Sequence, residues 1–179
     1  VTSATGPRLV LVGPPASGKT TVGTAVAAAL GASFRDTDAD VEAETGSTIA
    51  DLFVQQGEPH FRALEERAVA RALAEHPGVL ALGGGAVTSE ASRALLVAHG
   101  RAGGAVVWLD VDVPSAARRV GLSRDRPLLA VNPRAMLRTM LEARAPLYAE
   151  VATATVSTSD REVDAVVAEV LASVREVRR

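Results

Sequence analysis

The octapeptide Gly13-Pro14-Pro15-Ala16-Ser17-Gly18-Lys19-Thr20 limits what this chain can fold into more than any other feature. It fits G-x-x-x-x-G-K-[ST], a loop that works only between a buried strand and the N-terminus of a helix. Both flanks are present. Arg8-Leu9-Val10-Leu11-Val12 is a continuous apolar run, the pattern of a parallel strand covered on both faces, and residues 18–30 read as a helix stopped by Gly31. In that setting, loop amides and the positive end of the helix converge on a β-phosphate. Lys19 then reaches the β- and γ-oxygens, and the Thr20 hydroxyl is placed for Mg2+. Residues 13–20 therefore predict a nucleotide phosphate site, with Pro15, Ala16, Ser17, Gly18, Lys19, Thr20 and the following Thr21 as its residues.

The rest of the chain repeats the strand-then-helix alternation. Apolar runs at 79–82 and 105–109 read as strands, with weaker candidates at 34–35 and 155–157. Helical patterns cover 48–56, 59–75, 89–99, 114–120, 133–144 and 161–177. Such alternation implies right-handed crossovers and a parallel sheet with helices on both faces, an α/β three-layer sandwich. With 179 residues, 47% of them apolar, the chain can build one sizeable core, and we expect a single domain over 1–179. One stretch departs from packed layers. Residues 121–132 are polar and arginine-rich, with helix breakers at Gly121, Pro127 and Asn132-Pro133. They read either as a solvated connection or as a working surface segment.

Composition excludes several function classes. A formal net charge of -2 gives no basic field for nucleic acid or an acidic membrane. The absence of cysteine removes thiolate zinc sites, disulfide scaffolds and cysteine nucleophiles. No apolar run approaches a membrane span and the first residues do not read as a signal peptide, so the expectation is a cytoplasmic protein. There are eighteen arginines and one lysine, Lys19. A guanine-reading Asn-Lys-x-Asp motif is therefore impossible, which argues against a GTPase switch. Motors and translocases bring an apolar strand ending in an acidic Mg2+ residue, whereas the run at 79–82 ends in Gly83-Gly84-Gly85.

Three further groups bear on chemistry, each with a plainer alternative. Asp36 and Asp38 flank Thr37 after the weak second strand; if that segment is extended, both carboxylates face the mouth of the phosphate loop. Asp-Thr-Asp is equally a helix cap. Gly83-Gly84-Gly85 lies at the carboxyl end of the third strand, where open α/β sheets bind ligands, and bare amides there allow close approach. The alternative is a turn that needs positive φ. Arg62 and Arg144 offer planar forks for a carboxylate, although Arg62 could instead pair with Glu66 one turn on.

Taken in order, these segments resemble the shikimate kinase family from near Arg8 to near Ser159. The similarity rests on the phosphate loop, Asp36-Thr37-Asp38, Phe61-Arg62-x-x-Glu65, Leu82-Gly83-Gly84-Gly85-Ala86-Val87, Arg126-Pro127-Leu128-Leu129 and Arg144-Ala145-Pro146-Leu147-Tyr148. The resemblance implies a five-stranded parallel sheet of the nucleoside monophosphate kinase type. It also implies ATP-dependent phosphorylation of the shikimate 3-hydroxyl, a step toward chorismate and the aromatic amino acids. It assigns acceptor binding to Asp38, Arg62, Gly83, Gly84, Gly85 and Arg144, within a region of about 36–66 and beyond. Asp36 with Thr20 would serve Mg2+. Arg126, on a lid of about 121–132, would meet the transferring phosphate and Arg119 would pack on adenine. Lys19, Asp38 and Arg126 form the expected catalytic set, in a protein expected to be a monomer.

Two other readings stand beside this one. Gluconate kinase shares the small fold and also handles a carboxylated polyol; the glycine triplet and the Arg-Ala-Pro-Leu-Tyr segment favour shikimate. An inactive nucleotide-binding module would lack a catalytic piece, and none is missing from the sequence. There are departures from the family pattern as well. Ala16 stands where the family often has glycine, so the loop is expected to avoid positive φ there, and Pro15 stiffens it further. Residues 101–104 lengthen a loop before the fourth strand, and Ser159-Asp160-Arg161 match the adenine-side loop only loosely.

Overall fold

The structure, a computed structural model, describes residues 6–121 and 132–177. Its sheet has five strands: β1 (Leu9–Val12), β2 (Phe34–Asp36), β3 (Val79–Ala81), β4 (Ala105–Asp110) and β5 (Ala154–Ser157). They lie in the order β2-β3-β1-β4-β5, and every pairing is parallel. The helices are α1 (Lys19–Ala29), α2 (Thr37–Thr45), α3 (Ile49–Gln56), α4 (Glu58–Glu75), α5 (Glu90–Arg101), α6 (Val113–Arg119), α7 (Pro133–Val151) and α8 (Val163–Val177), with a short 3-10 turn at Ala86–Thr88.

The period-two alternation of β1 sorts its side chains between two cores. Leu9 and Leu11 face α1 and α8, packing with Val26, Val107, Leu109, Val156 and Val170. Val10 and Val12 face the opposite way and pack with Val69, Leu96, Val106, Tyr148 and Val151 from α4, α5, β4 and α7. A smaller third cluster of Val41, Leu52, Phe61, Leu64 and Ala68 holds α2, α3 and α4 together beside the sheet. The chain builds β2 and β3 on one side of β1 and β4 and β5 on the other, so the strand order reverses beside β1. A crevice opens at the carboxyl ends of strands at such a reversal.

Two elements differ from the sequence expectation. The segment after β2 is not extended: helix α2 begins at Thr37, with Asp36 as its N-cap accepting from the Asp38 amide at 2.9 Å. Its sequence, TDADVEAET, has one large apolar residue, Val41, so no helical period shows. Helix α7 does not end near Arg144 but runs through Pro146 to Val151. Burial of Tyr148 and Val151 in the core outweighs the bond that Pro146 denies to the Glu142 carbonyl, because Glu142 and Pro146 lie on the exposed face where water can bond that carbonyl.

Candidate active site

The phosphate loop leaves β1 at Gly13 and enters α1 through Gly18, whose φ of 90° is the left-handed conformation that glycine adopts without cost. Lys19 is half-buried, and its Nζ donates to the carbonyls of Gly13 at 2.7 Å and Pro14 at 2.9 Å. Its ammonium thus lies across the loop that it serves. Ala16 overturns the expectation set by its side chain. Its φ is 65°, so the loop keeps a glycine-like turn and bears the strain of a Cβ. The turn is held from outside, since the Ala16 carbonyl accepts from Arg119 at 3.1 Å. Ala16→Gly is therefore expected to stabilise the fold by up to about 1 kcal/mol, which a thermal-unfolding midpoint would register as a rise. A lowered midpoint would show that the strain is absent.

Behind the loop stand the two aspartates. Asp36 reaches in two directions: Oδ1 caps α2, and Oδ2 accepts from the Thr20 hydroxyl at 3.3 Å. The cap is formed, and the same carboxylate also reaches the phosphate loop. Asp38, the second residue of α2, lines the same cleft as Pro15, Ala16, Gly18, Lys19, Thr20, Thr21, Asp36, Leu82 and Gly84, a space of about 260 Å³. A magnesium ion fits the donors present. It keeps most of its waters and takes one or two protein oxygens beside phosphates, and Thr20 with Asp36 supplies that number. Among the described residues no three His, Asp or Glu side chains group into a metal cage.

The glycine triplet is built for close approach and not for positive φ. None of its members has positive φ, and each touches a different part of the site. A Cβ at Gly83 would come within 2.5 Å of both Asp38 Oδ1 and Glu65 Oε2. At Gly84 it would meet Pro15 Cδ at 2.6 Å, and at Gly85 it would collide with the Arg62 guanidinium. The Gly83 amide donates to Thr37 Oγ1 at 3.1 Å, tying the triplet to the start of α2. Arg62 does not pair with Glu66, which instead accepts from Ser89. It holds Glu65 at 2.7 Å and Glu58 at 3.3 Å, and its guanidinium lies over the rings of Phe61 and Phe53. Arg144 projects from α7 toward the same space, close enough to act on Lys19, Glu65 and Tyr148.

The electrostatics follow from burial. Desolvation brings the Lys19 ammonium down to about 8, opposed by Asp38 and Asp36 and reinforced by Arg144. Desolvation likewise raises Asp38 to about 6; Asp36 and Glu65 push it further and Lys19 pulls it back. Glu65, 3% exposed, is also raised by burial, with Arg62 restraining the shift.

On the far side of the phosphate loop a second recess is lined by Ser17, Gly18, Thr21, Val22, Arg119, Thr158, Arg161, Val163 and Val166. Arg119 is pinned there by Thr158 Oγ1 at 2.9 Å and the Thr158 carbonyl at 2.5 Å. Arg161, in the loosely matching loop, shares this recess and donates to the Ser157 carbonyl at 2.9 Å. Arg126 and the expected lid, except its ends Gly121 and Asn132, lie outside the described residues. Thr37, Glu65 and Tyr148 join the site without having been singled out as site residues in the sequence. The three-residue spacing of Arg62 and Glu65 carries a signal for Glu65; nothing local marks Thr37.

Comparison with known proteins bears on the family and the fold. The family model for shikimate kinase matches residues 15–175. A shikimate kinase of Salinispora arenicola is 58% identical over 166 residues, covering 93% of this chain and 96% of its own length. The shikimate kinase of Acinetobacter baumannii, solved in complex with shikimate, superposes with a TM-score of 0.86 at 35% identity, covering 97% of this chain and 95% of that one. A gluconokinase of Sinorhizobium meliloti shares the fold alone, with a TM-score of 0.55 at 23% identity over 95% of this chain and 92% of its own. Motif order, strand order and near full-length identity agree, and the chain belongs to the shikimate kinase family.

Proposed function

We propose that this cleft carries the γ-phosphoryl group of ATP to the 3-hydroxyl of shikimate, with each site residue in the role set out below. The observation that carries the reading is the meeting of Lys19 and Asp38 in one cleft, beside a glycine triplet that touches Asp38, Pro15 and Arg62 in turn. The acceptor oxygen attacks Pγ, the bond from Pγ to the ADP oxygen breaks, and the hydroxyl proton passes to Asp38. A carboxyl raised to about 6 is ionised at neutral pH yet basic enough to take that proton. Lys19 leaves the Gly13 and Pro14 carbonyls for the β- and γ-oxygens, and the loop amides from Pro15 to Thr21 hold the phosphates. Magnesium, held by Thr20 and through Asp36, would neutralise charge on the phosphates. Arg119 flanks the adenine recess, and the role of meeting the transferring group, given to Arg126 by family resemblance alone, falls on a residue outside those described. The chain is read as a monomer acting in the cytoplasm; among its described residues no helix is long and apolar enough to cross a membrane.

Arg62 and Arg144 take the acceptor's carboxylate, with the amides of the Gly83 to Gly85 loop beside them. A lysine at either position keeps the charge but loses the planar fork. Arg62→Lys and Arg144→Lys should each raise the shikimate KM at least about tenfold and leave the ATP KM nearly unchanged. Weakened ATP with unaffected shikimate would remove both residues from the acceptor pocket. The reading as a whole is tested by following ADP release with shikimate and gluconate side by side. Turnover on gluconate comparable to that on shikimate would overturn it.

A further inference from the structure

Among the groups that this mechanism leaves unused, Tyr148 stands out. It is the chain's one tyrosine, 1% exposed, and its hydroxyl donates to the Gly84 carbonyl at 2.5 Å. Its ring is stacked on Trp108 of β4, with centroids 5.6 Å apart and planes 28° apart, so it has little freedom to turn. Gly84 is thereby caught between two elements, with Tyr148 of α7 on its carbonyl and the Pro15 ring against its Cα.

A trans peptide points its C=O and the following N–H in opposite directions. With the Gly84 carbonyl aimed at the core beneath α7, the Gly85 N–H faces away from it. The triplet's other groups are tethered: the Gly83 amide donates to Thr37, the Gly83 carbonyl accepts from Ala86, and the Gly85 carbonyl accepts from the Thr88 hydroxyl at 2.6 Å. The amides of Gly84 and Gly85 have no acceptor among the described residues. Beside them lie the Arg62 guanidinium and Arg144, one turn before Tyr148 on the same face of α7.

We propose that Tyr148 is a positioning residue for the acceptor: by fixing the Gly84–Gly85 peptide, its hydroxyl aims the Gly85 amide, together with Arg62 and Arg144, at the acceptor's carboxylate. This rests on the reading of the cleft as a shikimate site. Burial keeps the phenol protonated by raising it to about 12, so the donor persists across the working pH range. Without it the peptide can rotate, and the amide that should meet a carboxylate is no longer held in place.

Tyr148→Phe removes only the oxygen and keeps the ring against Trp108. Calorimetric titration with shikimate and with shikimate methyl ester separates positioning from general damage. We expect shikimate affinity to fall about tenfold, ATP affinity to stay within about twofold, and the ester, already weak, to lose less than about twofold. Equal losses for acid and ester, or no loss for the acid, would overturn the proposal. A second readout needs no variant. In wild-type protein labelled with 15N-glycine, the Gly85 amide proton should move downfield with shikimate and much less with the ester; an amide indifferent to shikimate would count against Tyr148. A wild-type enzyme that fails to bind shikimate would instead sink the functional reading itself.

Discussion

Lys19→Met should abolish turnover, lowering kcat by several orders of magnitude while the protein still folds. Methionine matches the length of the lysine stem and is content in a half-buried position, so the phosphate loop need not collapse. What disappears is the one ammonium positioned to leave the carbonyls of Gly13 and Pro14 for the β- and γ-oxygens. In phosphoryl transfer the protein contributes alignment and charge, and in a poorly solvated site one missing cation is not replaced by water. No other lysine exists in the chain to substitute for it. A Lys19→Met enzyme retaining more than about a tenth of wild-type turnover would show that phosphate is held elsewhere. Unfolding midpoints for the two proteins should agree closely, since Met also escapes the desolvation that depresses the lysine.

The parts of this site legible in the sequence were those tied to covalent spacing. The phosphate loop stands where its eight residues placed it, whereas the helical partner offered for Arg62, Glu66, gave way to Glu65, three residues along the helix. The five strands fell within two residues of their expected positions, because apolar runs of this kind have few alternatives in a parallel sheet. What was illegible came from contacts distant in sequence. Helix α2 has no apolar period and exists because Asp36 caps it and Val41 reaches the cluster around Phe61. The turn at Ala16 follows from Arg119, more than a hundred residues away, binding its carbonyl. The triplet's need for glycine is set by Asp38, Glu65, Pro15 and Arg62 filling the space of each missing Cβ, and no local pattern reports that.

Asp38→Asn should separate activity from stability in opposite directions. An amide still hydrogen-bonds the acceptor hydroxyl but cannot take its proton, so kcat should fall roughly 100-fold or more with both substrates still bound. In the wild-type enzyme kcat/KM should be bell-shaped, rising as Asp38 ionises near pH 6 and falling as Lys19 loses its proton near pH 8. The variant should lose the acid limb and keep the alkaline one. Stability follows from the same carboxyl. Its folded pKa of about 6 lies above the ordinary 3.8, so between those values the folded state holds a proton that the unfolded chain has released. Stability therefore declines as pH rises across that window, and the full cost, at most about 3 kcal/mol, persists above it. Asparagine carries no such charge, although Lys19 then loses an attractive neighbour, which offsets part of the gain. At pH 8 the variant should unfold at a higher temperature than wild type, with the difference shrinking as pH is lowered toward 4. An acid limb that survives in Asp38→Asn would assign the titration near pH 6 to another group, with Glu65 the nearest buried carboxyl to examine.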